Sequence, residues 1–146
     1  MTAQSIAEQC AAKMLAMDEA SKALGVTIQT VSPGSAILNM QVTSKMLNGH
    51  KTCHGGFIFT LADSAFATAC NSYNKTAVAA SCDISFVRPA FAGDYLSAVA
   101  TEQFRAGRNG IYDVSVTNQD NETIALFRGK SRVISKTGPL DDPDPR

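Results

Sequence analysis

The chain has 146 residues, 45% of them hydrophobic and 18% charged, which suits one ordinary domain and is too apolar for a disordered tail. Thirteen Lys and Arg balance thirteen Asp and Glu, so no net positive field gathers polyanions and a general nucleic-acid-binding role is disfavoured. The uncharged stretch 64–74 is too short and too polar to span a bilayer, which takes about 20 apolar residues.

The first ten residues lack the basic start and continuous apolar core of a secretory signal, so the expected location is cytoplasmic, with no membrane partner. Cys10, Cys53, Cys70 and Cys82 form no CxxC pair, and a domain of this size builds a core without staples; free thiols are expected.

Residues 5–24 place Ile6, Cys10, Met14 and Met17 three or four apart. That spacing predicts one or two amphipathic helices, stopped by Gly25. Residues 27–31 and 36–42 are extended in character, with Pro33 and Gly34 between them, and predict a hairpin. Asn48-Gly49 marks a turn, and the chain runs without periodicity to His54-Gly55-Gly56. From 57 to about 73 an apolar helix is predicted, with Phe57, Leu61, Ala65 and Ala69 at helical spacing and Asp63 its only charge. Being apolar nearly all round, it should be buried, its alanines letting a sheet approach closely.

Residues 76–88 alternate, with Val78, Ala80, Cys82, Ile84 and Phe86 expected on one face and Ser81, Asp83 and Ser85 on the other. Strand-like runs over 95–105, 111–118 and 123–135 follow, joined by short turns that imply an antiparallel meander. The expected architecture is α+β: an N-terminal helix, then one long central helix wrapped by a curved antiparallel sheet of about five to six strands, with 1–136 as a single domain. Residues 137–146, with three prolines and three aspartates, bury almost nothing in this reading and form a disordered tail. A curved sheet this small leaves edge strands open, so at least a dimer is expected.

Asp63 is the residue that asks for a chemical explanation, because a lone carboxylate on an apolar helix is costly to bury without a partner or a task. Gly55 and Gly56 sit where that helix begins, where unpaired backbone N–H groups and the positive dipole end collect and can polarise a carbonyl oxygen. Taken singly, each neighbour has a plainer reading: Asn48 as a turn residue, His54 as a helix cap, Ser81 as the polar face of a strand. Cys53 beside His54 invites a thiol nucleophile, and His50, Cys53 and His54 a metal, but adjacency in sequence is not convergence in space and three candidate ligands are few. Neither is adopted, and no metal is expected.

Taken in order, the motifs Met46-Leu47-Asn48-Gly49-His50, Cys53-His54-Gly55-Gly56, Leu61-Ala62-Asp63, Ala90-Phe91-Ala92-Gly93-Asp94 and Ala125-Leu126-Phe127-Arg128-Gly129-Lys130-Ser131 resemble the hotdog-fold acyl-coenzyme A thioesterases of the PaaI (phenylacetic acid degradation) family. The resemblance covers about residues 5–135 and implies a homodimer or homotetramer with active sites at subunit interfaces. It implies Asp63 as catalytic base or nucleophile, Gly55 as the N–H that polarises the thioester carbonyl, and Asn48 as the residue orienting Asp63 or water. By the same likeness Ser81 helps hold the attacking water and His54 lines the thioester pocket. The coenzyme A nucleotide is implied to lie against the loop with Arg88, Pro89 and Gly93 and the hairpin with Arg108, Asn109 and Gly110. Coenzyme A is then part of the substrate, and no cofactor is expected.

The implied reaction is hydrolysis of phenylacetyl- or hydroxyphenylacetyl-coenzyme A. Medium-chain or other aromatic acyl groups stay open, as does a module that binds acyl-coenzyme A without turning it over; a purely binding site has little use for a carboxylate beside a thioester carbonyl. A hotdog dehydratase would need a different placement of Asp and His. Arg128, Lys130 and Arg132 alternate along one strand, and read equally as a solvated face or as partners for phosphate.

Overall fold

Thr2 starts the first helix, its hydroxyl accepting from the Ser5 N–H at 3.0 Å, as capping of a helix's unpaired N–H groups requires. Helix α1 (Ala3–Met17) buries Ala7, Cys10 and Ala11. Asp18 then caps the short α2 (Glu19–Ala23), accepting from the Ser21 N–H at 3.0 Å, and Gly25, at φ 73°, turns the chain out of it. The computed structural model describes residues 1–141.

Strands β1 (Thr27–Ser32) and β2 (Ser35–Gln41) form the expected hairpin, and a 3₁₀ turn (Ser44–Met46) leads towards the central helix α3 (Gly55–Cys70). Strands β3 (Thr76–Phe86), β4 (Tyr95–Ala106), β5 (Asn109–Thr117) and β6 (Thr123–Ser135) follow. All pair antiparallel in one six-stranded sheet of order β1-β2-β4-β5-β6-β3. The fold is the α+β arrangement expected, six strands around α3.

Helix α3 lies on the sheet through Ile58, Leu61, Ala62, Ala65, Phe66 and Ala69, each at most 3% exposed. Burying a ring such as Phe66 contributes about 2–3 kcal/mol. That ring meets Tyr112 and Phe127 at centroid distances of 5.7 Å and occupies the space over Gly129, where an added Cβ would come within 2.7 Å of it.

Four details differ from the sequence expectation. Helix α3 begins at Gly55 rather than 57, because its first turn takes no part in the apolar periodicity. It ends at Cys70 rather than near 73, because the Asn71 side chain takes over the chain's hydrogen bonds. Its amide donates to the carbonyls of Ala67 and Ala77 at 2.9 and 3.0 Å, and its oxygen accepts from the Ala77 N–H at 2.9 Å.

In β3 the register shifts between Ala79 and Ser81, so a bulge flips the alternation. Ala77, Cys82 and Ile84 face the core, while Val78 is 43% exposed. Residues 137–141, expected to open the tail, are tied down. The Thr76 N–H donates to the Thr137 carbonyl at 3.0 Å, and Asn74 accepts from the Leu140 N–H at 3.0 Å and donates to Asp141 at 3.0 Å. The rest of that stretch, 142–146, lies outside the described residues.

Candidate active site

Helix α3 acts as a ruler along which the chemistry-bearing residues are set out. Gly55, Asp63 and Cys70 stand at its start, middle and end, so at about 1.5 Å per residue Asp63 is about 12 Å and Cys70 about 22 Å from Gly55. A separate concavity opens at each of the three places.

At the start, His54 occupies the cap position but makes no side-chain capping bond; its ring lies edge-on to Phe57, centroids 6.4 Å apart. The Gly55 and Gly56 N–H groups meet no acceptor among the described residues. Gly55 lines an open groove of about 340 Å³ with Cys53, Ile58, Phe86, Arg88 and Pro89. The Phe86 ring lies over it, so that a Cβ at Gly55 would stand 3.0 Å from the ring.

The loop after β3 is fixed to this end. Cys53 N–H donates to the Ala90 carbonyl at 2.7 Å, and Gly93, at φ 90°, donates to the Val42 carbonyl at 2.8 Å. Arg88 leans towards the β5–β6 turn, donating to the Thr123 carbonyl at 3.2 Å with Glu122 at 3.8 Å. Burial, helped by Asp94, pushes the Cys53 thiol up to about 11, which leaves it protonated at neutral pH and a poor nucleophile.

At the middle, Asp63 is half-buried and has neither hydrogen bond nor ion pair among the described residues. Burial raises its pKa above the ordinary carboxylate value, and the charge of Asp18 raises it further. The two carboxylates share the wall of a small cavity of about 90 Å³.

At the far end, Cys70 borders a cavity of about 260 Å³ with Lys75, Arg108, Asn109, Gly110 and Lys136. None of Lys75, Arg108 and Lys136 makes an ion pair among the described residues. Sequence reasoning singled out Arg108 here and missed the two lysines, which lie just before β3 and just after β6.

The other candidates lie apart from Asp63 within one chain. Asn48 is absorbed by its own turn: its amide donates to the Thr52 hydroxyl at 3.0 Å and its oxygen accepts from the His50 and Thr52 N–H groups. Ser81 is exposed opposite Lys130, and its neighbour Cys82, not Ser81, packs towards α3. Arg128 is engaged by both oxygens of Asp113, at 2.6 and 2.9 Å, which favours the solvated-face reading for that strand. Among the described residues no three His, Cys, Asp or Glu groups are placed to hold a metal, and no helix is long and apolar enough to cross a membrane.

One chain therefore holds an unpaired N–H and an unpaired carboxylate too far apart to address one carbonyl. Beside them runs the outer edge of β3, paired to no strand among the described residues and exposing Val78, Ala79 and Ala80.

Residues 50–125 match the family model described as the thioesterase superfamily. The acyl-coenzyme A thioesterase PaaI of Escherichia coli K12 is 50% identical over 129 residues, covering 88% of this chain and 92% of that protein. The structure of E. coli PaaI, from the phenylacetic acid degradation operon, superposes with a TM-score of 0.92 at 48% identity, covering 93% of this chain and 99% of that one. A Streptococcus mutans UA159 protein solved with acetyl coenzyme A superposes with a TM-score of 0.74 at 27% identity, over 77% of this chain and 90% of that one. By family model, by sequence and by the sheet wrapped around its central helix, the chain belongs to the thioesterase superfamily and has the hotdog fold.

Proposed function

We propose that this enzyme hydrolyses acyl-coenzyme A thioesters, with phenylacetyl- and hydroxyphenylacetyl-coenzyme A as its substrates, and that it does so in the cytoplasm as a homodimer or homotetramer. The observation that carries the reading is the pair of unsatisfied groups on α3, the Asp63 carboxylate and the Gly55 N–H, about 12 Å apart beside an open sheet edge. Two copies joined along β3 would bring the Gly55 of one to the Asp63 of the other, which one chain alone does not do.

In that arrangement the Gly55 N–H receives the oxygen of the thioester carbonyl as it turns into an oxyanion. Asp63 either takes a proton from the attacking water or itself attacks the carbonyl carbon. The carbon–sulfur bond then breaks and the coenzyme A thiolate leaves and is protonated; the acyl group departs as the free acid at once where water attacked, and after a water hydrolyses the Asp63 anhydride where Asp63 attacked. The raised pKa of Asp63 makes its carboxylate a stronger base than an exposed one. The phosphates of coenzyme A are assigned to Arg88, Pro89 and Gly93 and to the cavity of Lys75, Arg108, Asn109, Gly110 and Lys136, where unpaired cations await an anion. Asn48, His54 and Ser81 act from the second copy or through water. The likeness to PaaI supports the acyl group named.

The test is release of coenzyme A from phenylacetyl-, hydroxyphenylacetyl-, benzoyl- and hexanoyl-coenzyme A, corrected for the protein's own thiols and run beside Asp63→Ala. Arylacetyl substrates turn over fastest, and the variant loses turnover by about a thousandfold or more while still binding substrate. Near-normal turnover in the variant would sink the assignment of Asp63.

A further inference from the structure

Two neighbouring spaces lie between α1 and α3, divided by a thin wall. One is the cavity of about 90 Å³ bordered by Asp63; the other is a groove of about 440 Å³ lined by Lys13, Met17, Asn71, Thr76, Ala77 and Pro139. Met14, Asp18 and Ala67 line both, so these three residues form the wall. Ala67 has only its Cβ to contribute. Asp18 is fixed, accepting from the Ser21 N–H at 3.0 Å and from the Ser21 hydroxyl at 2.6 Å, and Ser21 Oγ is held in turn 2.8 Å from Ser64 Oγ. Met14 is half-buried, and its unbranched side chain turns about three bonds. It is the one part of the wall that a single substitution can take away without breaking a hydrogen bond.

The groove beyond Met14 suits an apolar occupant. Its polar side chains are already committed inside the protein: the Asn71 amide to Ala67 and Ala77, and the Thr76 hydroxyl to the Thr137 carbonyl at 2.8 Å. Lys13 and Asp18 have opposite signs and leave it no net charge, while Met14, Met17, Ala67, Ala77 and Pro139 supply apolar surface. Its wall at Pro139 is firmly backed. Gly138 lies so close to the backbone of Asn74 that a Cβ there would overlap it, and the Gly138 N–H donates to Asp141 at 3.1 Å. On a surface of this kind each methylene that leaves water gains about fourfold in binding.

Resting on the reading that Asp63 addresses the thioester, we infer that Met14 sets the longest acyl group this enzyme accepts. Its side chain ends the cavity behind the reacting carbonyl, and the groove on its other side is the path that a longer alkyl chain takes once that side chain is shortened. The cavity by itself takes the outer end of a short acyl group, and a ten-carbon chain overruns it. Met14 acts on specificity alone, since the chemistry stays with Asp63 and Gly55.

The experiment measures kcat/KM of the full-length protein for hexanoyl- and decanoyl-coenzyme A in the wild type, Met14→Val, Met14→Ala, Met14→Ala combined with Met17→Glu, and Asp63→Ala. A ratio within one preparation does not depend on how much of it is folded. The wild type should favour hexanoyl by about tenfold. Met14→Val should raise the decanoyl-to-hexanoyl ratio by about threefold and Met14→Ala by about tenfold or more. Met17 borders the groove but not the cavity and is 47% exposed, so Met17→Glu disturbs the fold little. Its charge should return the ratio of Met14→Ala to that of the wild type, because an alkyl chain cannot strip water from a carboxylate cheaply. Ratios unchanged in both Met14 variants, with Asp63→Ala inactive, overturn this inference and leave the proposed function standing. A gain in Met14→Ala that survives Met17→Glu overturns the assignment of the groove. Full turnover by Asp63→Ala overturns the proposed function itself.

Discussion

The sheet has two edges, and they are finished differently. Edge strand β1 is six residues long, is bulged between Ile28 and Thr30, and has α1 lying beside it. Gln4 of that helix donates to the Val31 carbonyl at 2.7 Å, using an acceptor that would otherwise invite another strand. Edge strand β3 is eleven residues long, carries no charge from Thr76 to Cys82 and, among the described residues, has no second strand along it. Open, apolar edges of this length are what soluble proteins avoid unless a partner strand covers them. The same chain closes one edge within itself and leaves the other open, the edge at which the proposed dimer would join, and the unpaired N–H of Gly55 and carboxylate of Asp63 lie on the helix behind it.

The comparison breaks most visibly if the open edge is charged. Val78→Glu combined with Ala80→Glu places like charges opposite one another in any antiparallel pairing of two β3 strands. The expected outcome is a folded monomer by sedimentation with coenzyme A release down by about a hundredfold or more. A dimer of full activity would show that β3 is not the joining edge. At the closed edge the effect is on stability alone. Gln4→Ala loses two exposed hydrogen bonds, to Val31 and to Glu8, together about 1 kcal/mol, and should lower Tm by about 3 °C with oligomeric state and turnover unchanged.

The carboxylate behind the open edge has a pH signature. Burial raises the Asp63 pKa above 3.8, so its charge weakens the folded state. That penalty is absent below 3.8 and grows as pH rises through the folded-state value. Asp63→Asn should therefore be the more stable protein at pH 7, by less than about 1 kcal/mol, the advantage vanishing in urea unfolding series taken towards pH 3.8. The acid limb of kcat/KM should likewise fall at a higher pH than an ordinary aspartate gives. Between the edges, Arg128→Ala removes an exposed partner of Asp113, which holds that carboxyl below its ordinary range. It should change stability by under about 0.5 kcal/mol, and KM should stay within about twofold, because Asp113 already occupies that guanidinium.

Much of this was legible in the residues. The single charge of α3, the Gly pair at its start and the alternation of β4 to β6 are local signals, and each lies where spacing put it. What stayed hidden depends on residues far apart in the chain. The bulge at Ala79 and Ser81 has no marker in a run of Thr, Ala, Val, Ala, Ala, Ser and Cys, yet it turns Val78 outwards. The anchoring of 137–141 is arranged by Asn74, more than sixty residues earlier. Ser21 and Ser64, 43 positions apart, read as two unremarkable serines until the fold lays α2 against α3. Lys75 and Lys136 join Arg108 only because the sheet brings the ends of separate strands together.

Gly129 carries a consequence of another kind. Its codon can mutate by one base to Ala, Val and either Ser, Cys, Arg, Asp, Glu or Trp, and each of these adds the Cβ for which Phe66 leaves no room. In a library of single variants β6 should therefore show a notch one residue wide, with Arg128 and Lys130 tolerating most replacements on either side and Gly129 tolerating almost none. The distance between helix and sheet is inherited through an atom that must stay missing.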